Sequence, residues 1–113
     1  MFISVTMFDE NFKKRWQKLS LIEQLANIGS EIYRVKMWQG KDERFFENSI
    51  IRALDLFNLT LSDPKNKGRL KEVARVKELF LDAVYNGAKE YKTTLDDLDK
   101  YFYQFALLVS KNR

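Results

Sequence analysis

The stretch Ser20-Leu21-Ile22-Glu23-Gln24-Leu25-Ala26-Asn27-Ile28-Gly29-Ser30-Glu31-Ile32-Tyr33 decides the fold. Its first four residues form a capping box, with the serine hydroxyl placed to accept from the Glu23 amide while the Glu23 carboxylate reaches back to the serine amide. Beyond the cap, apolar side chains recur at the helical period. At about 100° per residue, Leu21, Ile22, Leu25, Ala26, Ile28, Gly29, Ile32, Tyr33, Val35 and Met37 cover an arc of roughly 200°, and Gly40 stops the helix. An arc this wide requires at least two neighbouring helices. Gly29 lies near its centre, where a missing side chain lets another helix approach at a propensity cost of about 1 kcal/mol.

Working outward, Phe8, Phe12, Trp16 and Leu19 recur upstream at spacings of four, four and three, with Lys13, Lys14, Arg15 and Lys18 on the other sides. This short helix reads as a lid laying its aromatic side on a bundle, in preference to a membrane-surface helix. Residues 1–7 precede the pattern and read as extended or disordered. Downstream, Asp42 caps a second long helix with a stripe of Phe46, Ile50, Ala53, Leu54, Phe57 and Leu61, ended by Ser62-Asp63-Pro64. Leu70, Val73, Ala74, Val76, Phe80, Leu81, Ala83 and Val84 mark a third, running to Asn86-Gly87. Thr94-Leu95-Asp96-Asp97 opens a fourth, whose inward set is Leu95, Leu98, Tyr101, Phe102, Phe105, Ala106, Leu108 and Val109.

Short connections make sequential helices antiparallel neighbours. The expectation is therefore one all-α domain over residues 1–113, an antiparallel four-helix bundle with an additional short N-terminal helix; an orthogonal array is the alternative. Its principal core is expected to be Leu25, Ile28, Ile32, Phe46, Ile50, Phe57, Val73, Phe80, Leu98, Phe102 and Phe105. Composition agrees, since hydrophobic residues make up 45% and four Gly and one Pro leave little turn material for many short strands.

The chain has no histidine and no cysteine. Ser-His and Cys-His catalysis, zinc sites, haem-histidine ligation and thiol redox chemistry drop out with them. No cofactor or metal is implied, and carboxylate, lysine and tyrosine chemistry remain. No apolar run approaches the roughly 20 residues that span a bilayer, and the N-terminal MFISVTMF lacks a basic leader, so a cytoplasmic protein is expected. A Lys/Glu-rich surface with few glutamines is a compositional trait of thermophile proteins.

At LSLIEQLANIGSEI and again at DPKNKGRLKE, the chain resembles a family of small helical bacterial proteins, over about Trp16 to Tyr103. The resemblance implies a bacterial cytosolic protein and brings no reaction with it. In architecture the four-helix reading is also similar to HEPN-type and nucleotidyltransferase-associated bundles. Ribonucleases of that type use an Arg followed by a His, which this histidine-free chain cannot match.

Three groups of residues are candidate sites. Glu23, Asn27, Glu31, Arg34 and Trp38 follow at spacings of four, four, three and four, lining one side of the first long helix as a polar groove. Such a groove suits a polar ligand, or a divalent ion held by the two glutamates; the plainer reading is a solvated face with Glu31 and Arg34 paired. Lys67, Arg69, Lys71 and Arg75 cluster at the start of the third long helix, where residues 65–77 hold six basic residues and one acidic. Cations beside exposed helix amides can hold phosphate or another anion, and the alternative is a hydrated turn capped by Asp63. Finally, Tyr103 and Leu107 face away from the apolar stripe of the last helix, and Ile51, Leu59 and Leu79 are displaced in theirs, which suggests a self-association surface.

No convergent catalytic set is present, and Asp96-Asp97-Asp99 reads as a helix start stabilised by its dipole. The leading functional reading is a non-enzymatic interaction or adaptor protein that forms a homodimer. An anion or nucleic-acid-binding module is the alternative, and an enzyme built on Glu23 and Glu31 is the least favoured.

Overall fold

Residues 9–111 are described by a computed structural model. Five α-helices and one 3-10 turn follow in order: α1 (Glu10–Gln17), α2 (Leu21–Trp38), α3 (Glu43–Leu61), the turn (Pro64–Arg69), α4 (Leu70–Tyr85) and α5 (Leu95–Lys111). The expected stretch 1–7 and Phe8 lie outside the described residues. The caps of α2, α3 and α5 are the ones the sequence supplies, whereas Asp63 caps the 3-10 turn and α4 follows Arg69 without a side-chain cap. Ser20 and Glu23 form the capping box of α2 and Asp42 accepts from the Phe45 amide at α3. Thr94 and Asp97 exchange the same reciprocal bonds ahead of α5.

Four long helices pack as an antiparallel bundle with α1 laid across it. α2 packs against both α3 and α5, and α4 lies mainly on α3. Antiparallel pairing of α2 and α5 is marked by Gly29 against Phe102 and by Lys36 against Asp96 and Asp99. The Phe57 ring stands 5.9 Å from Phe80 and 6.2 Å from Phe102, so α3, α4 and α5 meet at one aromatic centre.

The expected core residues are buried, except that Phe46 and Phe105 sit partly buried at its edge. The lid reading also holds. Trp16 of α1 is buried in the core and Phe12 packs against it, while Leu19 follows beyond the helix end. No helix among the described residues is long and apolar enough to cross a membrane.

Several expected placements need correction. Ile22, Tyr33 and Met37 were assigned to the inward arc of α2, and all three are exposed. α3 and α5 close over one side of α2, and among the described residues no further helix covers the side beyond α5. Leu108 and Ala106, expected inward on α5, are exposed for a related reason: the last turns of that helix run past the core. Conversely, Leu59 and Leu79, expected to face away, pack against the core. A helix flanked by two neighbours buries more than a single stripe. Ile51 is exposed as expected.

Candidate functional site

The stretches 19–32 and 63–72 meet in the interior. Gln24, fully buried in the first turns of α2, donates from Nε2 to the Trp16 carbonyl and to the Asp63 carboxylate, both at 2.9 Å. Its Oε1 accepts from Asn66 Nδ2 at 2.9 Å, and the same Asn66 amide donates to the Thr60 carbonyl. Trp16 Nε1 donates to Thr60 Oγ1 at 3.1 Å. This network fastens α1 and the 3-10 turn to α2 and α3. Burial pushes the Asp63 carboxyl up, but the Lys65 ammonium, the Gln24 amide and the Lys65 backbone N–H outweigh it and hold it below the ordinary carboxylate range. Sequence reading identified Asp63 as a cap and Trp16 as part of the lid, and missed Gln24, Thr60 and Asn66 because polar side chains read as solvated until their distant partners are known.

Beside this network, a groove of about 510 Å³ runs between α1, α2 and α3. Asn27, Ser30, Glu31 and Arg34 of α2 line it with Arg52 and Leu56 of α3, and α1 contributes Phe12 and Trp16. The expected polar groove is thus present with different membership. Glu23 instead holds the Ser20 amide, and Trp38 lies against Phe45, the rings tilted by 35° with centroids 4.7 Å apart. The cover for that tryptophan comes from α3. Asn27 donates to the Glu23 carbonyl, and Arg34 donates to Glu31 Oε2 at 2.9 Å. Glu31 Oε1 is buried and has no hydrogen-bond partner. The two glutamates do not converge, and among the described residues no cluster of three metal-ligating side chains exists.

The basic cluster is dispersed by its surroundings. Lys67 and Arg69 belong to the 3-10 turn, so only Lys71 and Arg75 lie within α4. Arg69 is bound through two nitrogens to Glu72 Oε1, at 3.0 and 2.6 Å, and the guanidinium holds the Glu72 carboxyl below its ordinary range. Arg75 lies over the Tyr91 ring, 4.8 Å from its centroid. Two of the four cations therefore have intramolecular partners.

The third surface lies along α2 and α5. Tyr33 and Tyr103 line a second groove of about 500 Å³ whose floor is Ala26, Gly29, Phe102 and Ala106. Tyr103 is 61% exposed, Leu107 50%, Tyr33 49%, Ile22 42% and Met37 40%. On α2, Ile22, Tyr33 and Met37 fall within about 60° of one another, so they form one strip beside α5. Sequence reading found the α5 half of this surface. It missed the α2 half by counting those residues in the apolar arc that neighbouring helices cover.

The chain matches no protein-family model, no curated protein and no solved structure.

Proposed function

We propose that this chain is a helical interaction protein that self-associates through the α2–α5 face. The observation that carries the reading is the set of large apolar side chains just described, left in water on two adjacent helices, with Tyr33 and Tyr103 flanking the groove between them. If each of the five leaves on the order of 100 Å² exposed, the strip amounts to roughly 500 Å², a size at which exposed apolar patches mark interaction sites. It is more than half of the roughly 800 Å² that each partner contributes to a standard interface.

A second copy is the occupant that fits best. Arg34 and Asp99 line the same groove. Both charges are balanced within the chain, Arg34 by Glu31 and Asp99 by Lys36, so the groove carries no unbalanced charge to repel a second copy across a two-fold axis. The test is the Tyr103→Glu, Leu107→Glu double variant. Both side chains are largely outside the core, so helicity should be retained while the solution mass falls to that of a monomer. A double variant whose mass equals that of the wild type would refute the assignment of this face.

A further inference from the structure

The net charge of the chain is concentrated at one end of the fold. Residues 13–18 hold four basic residues and no acidic one, and residues 63–71 hold four basic and one acidic. These 15 residues carry a formal +7 against +4 for the whole chain, so the other 98 sum to −3. The fold brings the two segments together. Lys65 Nζ donates to the Gln17 carbonyl at 3.0 Å, and Gln24 bridges the Trp16 carbonyl and the Asp63 carboxylate. The carboxylates beside them are already committed, Asp63 to Lys65, Glu72 to Arg69 and Glu23 to the Ser20 amide. Lys14, Lys18, Lys67 and Lys71 are exposed and belong to no ion pair among the described residues. On α1, Lys14 and Lys18 stand about 200° round from Phe12 and Trp16 and so point away from the core. The dipole at the C-terminal end of α1 favours cations, but in the first turn of α4 it opposes Lys71, so folding alone does not account for the cluster.

The face offers charge without apolar surface. Every large apolar side chain exposed among the described residues lies outside these two segments, and α1 turns its aromatic side to the core, where Trp16 is buried. A protein partner needs an apolar centre, a bilayer surface an apolar helix side, and a single strand aromatic platforms for its bases. The phosphate backbone of a duplex asks only for cations. We propose that this end of the molecule binds double-stranded DNA through its phosphates, without reading sequence. Lys14 and Lys18 of α1, with Lys67 and Lys71 beyond the Lys65–Gln17 contact, are the point charges that hold it. The net negative remainder of the chain orients the approach, basic end first. The proposal is independent of self-association, which uses the α2–α5 face.

The experiment follows the fluorescence anisotropy of a labelled DNA duplex of about 20 base pairs as the full chain is added at several salt concentrations. Saturable binding is expected with a Kd on the order of 10⁻⁵ M near about 50 mM salt, weakening with a log–log slope of about −3 to −4 as the four lysines release counterions. A duplex of unrelated sequence should bind equally well. Lys14→Gln with Lys18→Gln, and separately Lys67→Gln with Lys71→Gln, should each weaken binding about tenfold or more and make the slope shallower by about 2. All four side chains are exposed, so both double variants keep the fold, which circular dichroism verifies. Lys41→Gln with Lys89→Gln removes the same charge outside the face and should bind like the wild type. An equal loss in that variant would reduce the effect to net charge and overturn the proposal. So would no saturable binding up to about 10⁻³ M at low salt, discrimination between the two duplexes, or preference for phosphatidylserine vesicles over the duplex.

Discussion

A Cβ built on Gly29 would lie 2.7 Å from the Cβ of Phe102, closer than two such carbons pack. The glycine is what allows α2 and α5 to cross at this distance, and that crossing sets the floor of the groove flanked by Tyr33 and Tyr103. Gly29→Ala gains about 1 kcal/mol of helix propensity. It should nevertheless destabilise the protein by a net 1–3 kcal/mol or so, because the new methyl meets the base of a buried ring that cannot swing away. Urea unfolding of the variant reads this directly, and unchanged or increased stability would mean that the helices cross further apart.

Gln24 supports the second prediction. Gln24→Leu keeps the volume but strips partners from Asn66, Asp63 and the Trp16 carbonyl at once. Leaving buried polar groups unpaired costs about 1–3 kcal/mol for each that cannot reach water. The loss should fall first on α1. In a Trp38→Phe background, Trp16 emission is expected to move to the red in Gln24→Leu while far-ultraviolet circular dichroism changes little. Blue-shifted emission identical to that of the parent would show that α1 does not depend on this network.

Acid should weaken the fold. Alongside Asp63 and Glu72, Asp82 is held low by the Tyr91 backbone N–H and then by Asn86 and Glu90, and Asp97 by the Thr94 backbone N–H and hydroxyl. A carboxyl whose folded pKa lies below its unfolded value stabilises fully above the unfolded value, about 4, and loses that contribution as pH falls through the folded one. Stability measured by urea midpoint should therefore be flat near neutrality and fall below about pH 4. Asp63→Asn should flatten part of that fall, and an acid limb unaffected by it would count against the role given to Asp63.

The α4–α5 connection stores backbone strain that glycine would relieve. Ala88 has φ of 62° and Lys92 of 64°, in the left-handed region, where a Cβ costs about 1–2 kcal/mol. The Ala88 amide donates to the Asp82 carbonyl, and the Asp82 carboxylate accepts from the Glu90 and Tyr91 amides, which holds the loop in place. Ala88→Gly should raise stability by about 0.5–1 kcal/mol after the entropy gained by the unfolded chain is subtracted. A rise of a few degrees in Tm is the expected reading, and a fall would contradict the left-handed conformation.

Helix period and caps carried most of the fold. Ser20 with Glu23, Asp42, and Thr94 with Asp97 are local signals whose partners lie three residues away, so they could be read without knowing the packing. Period alone does not say whether a neighbour covers an apolar face, which is why the apolar arc of α2 includes Ile22, Tyr33 and Met37 although all three are exposed. The polar network escaped for the opposite reason. Gln24 meets Asp63 and Asn66 across 39 and 42 residues, and Trp16 meets Thr60 across 44, distances over which no sequence spacing links one side chain to another. Asn27, Glu31 and Arg34 were legible as one polar face, whereas Arg52 joined them only when α3 packed alongside α2.

Self-association is tested most directly by sedimentation equilibrium of the unmodified protein over a wide range of concentration. The α2–α5 face predicts a mass rising with concentration toward twice the 13.5 kDa of one chain, and a shift back toward 13.5 kDa in Tyr103→Glu, Leu107→Glu. A wild type that stays at 13.5 kDa at every concentration would contradict the account.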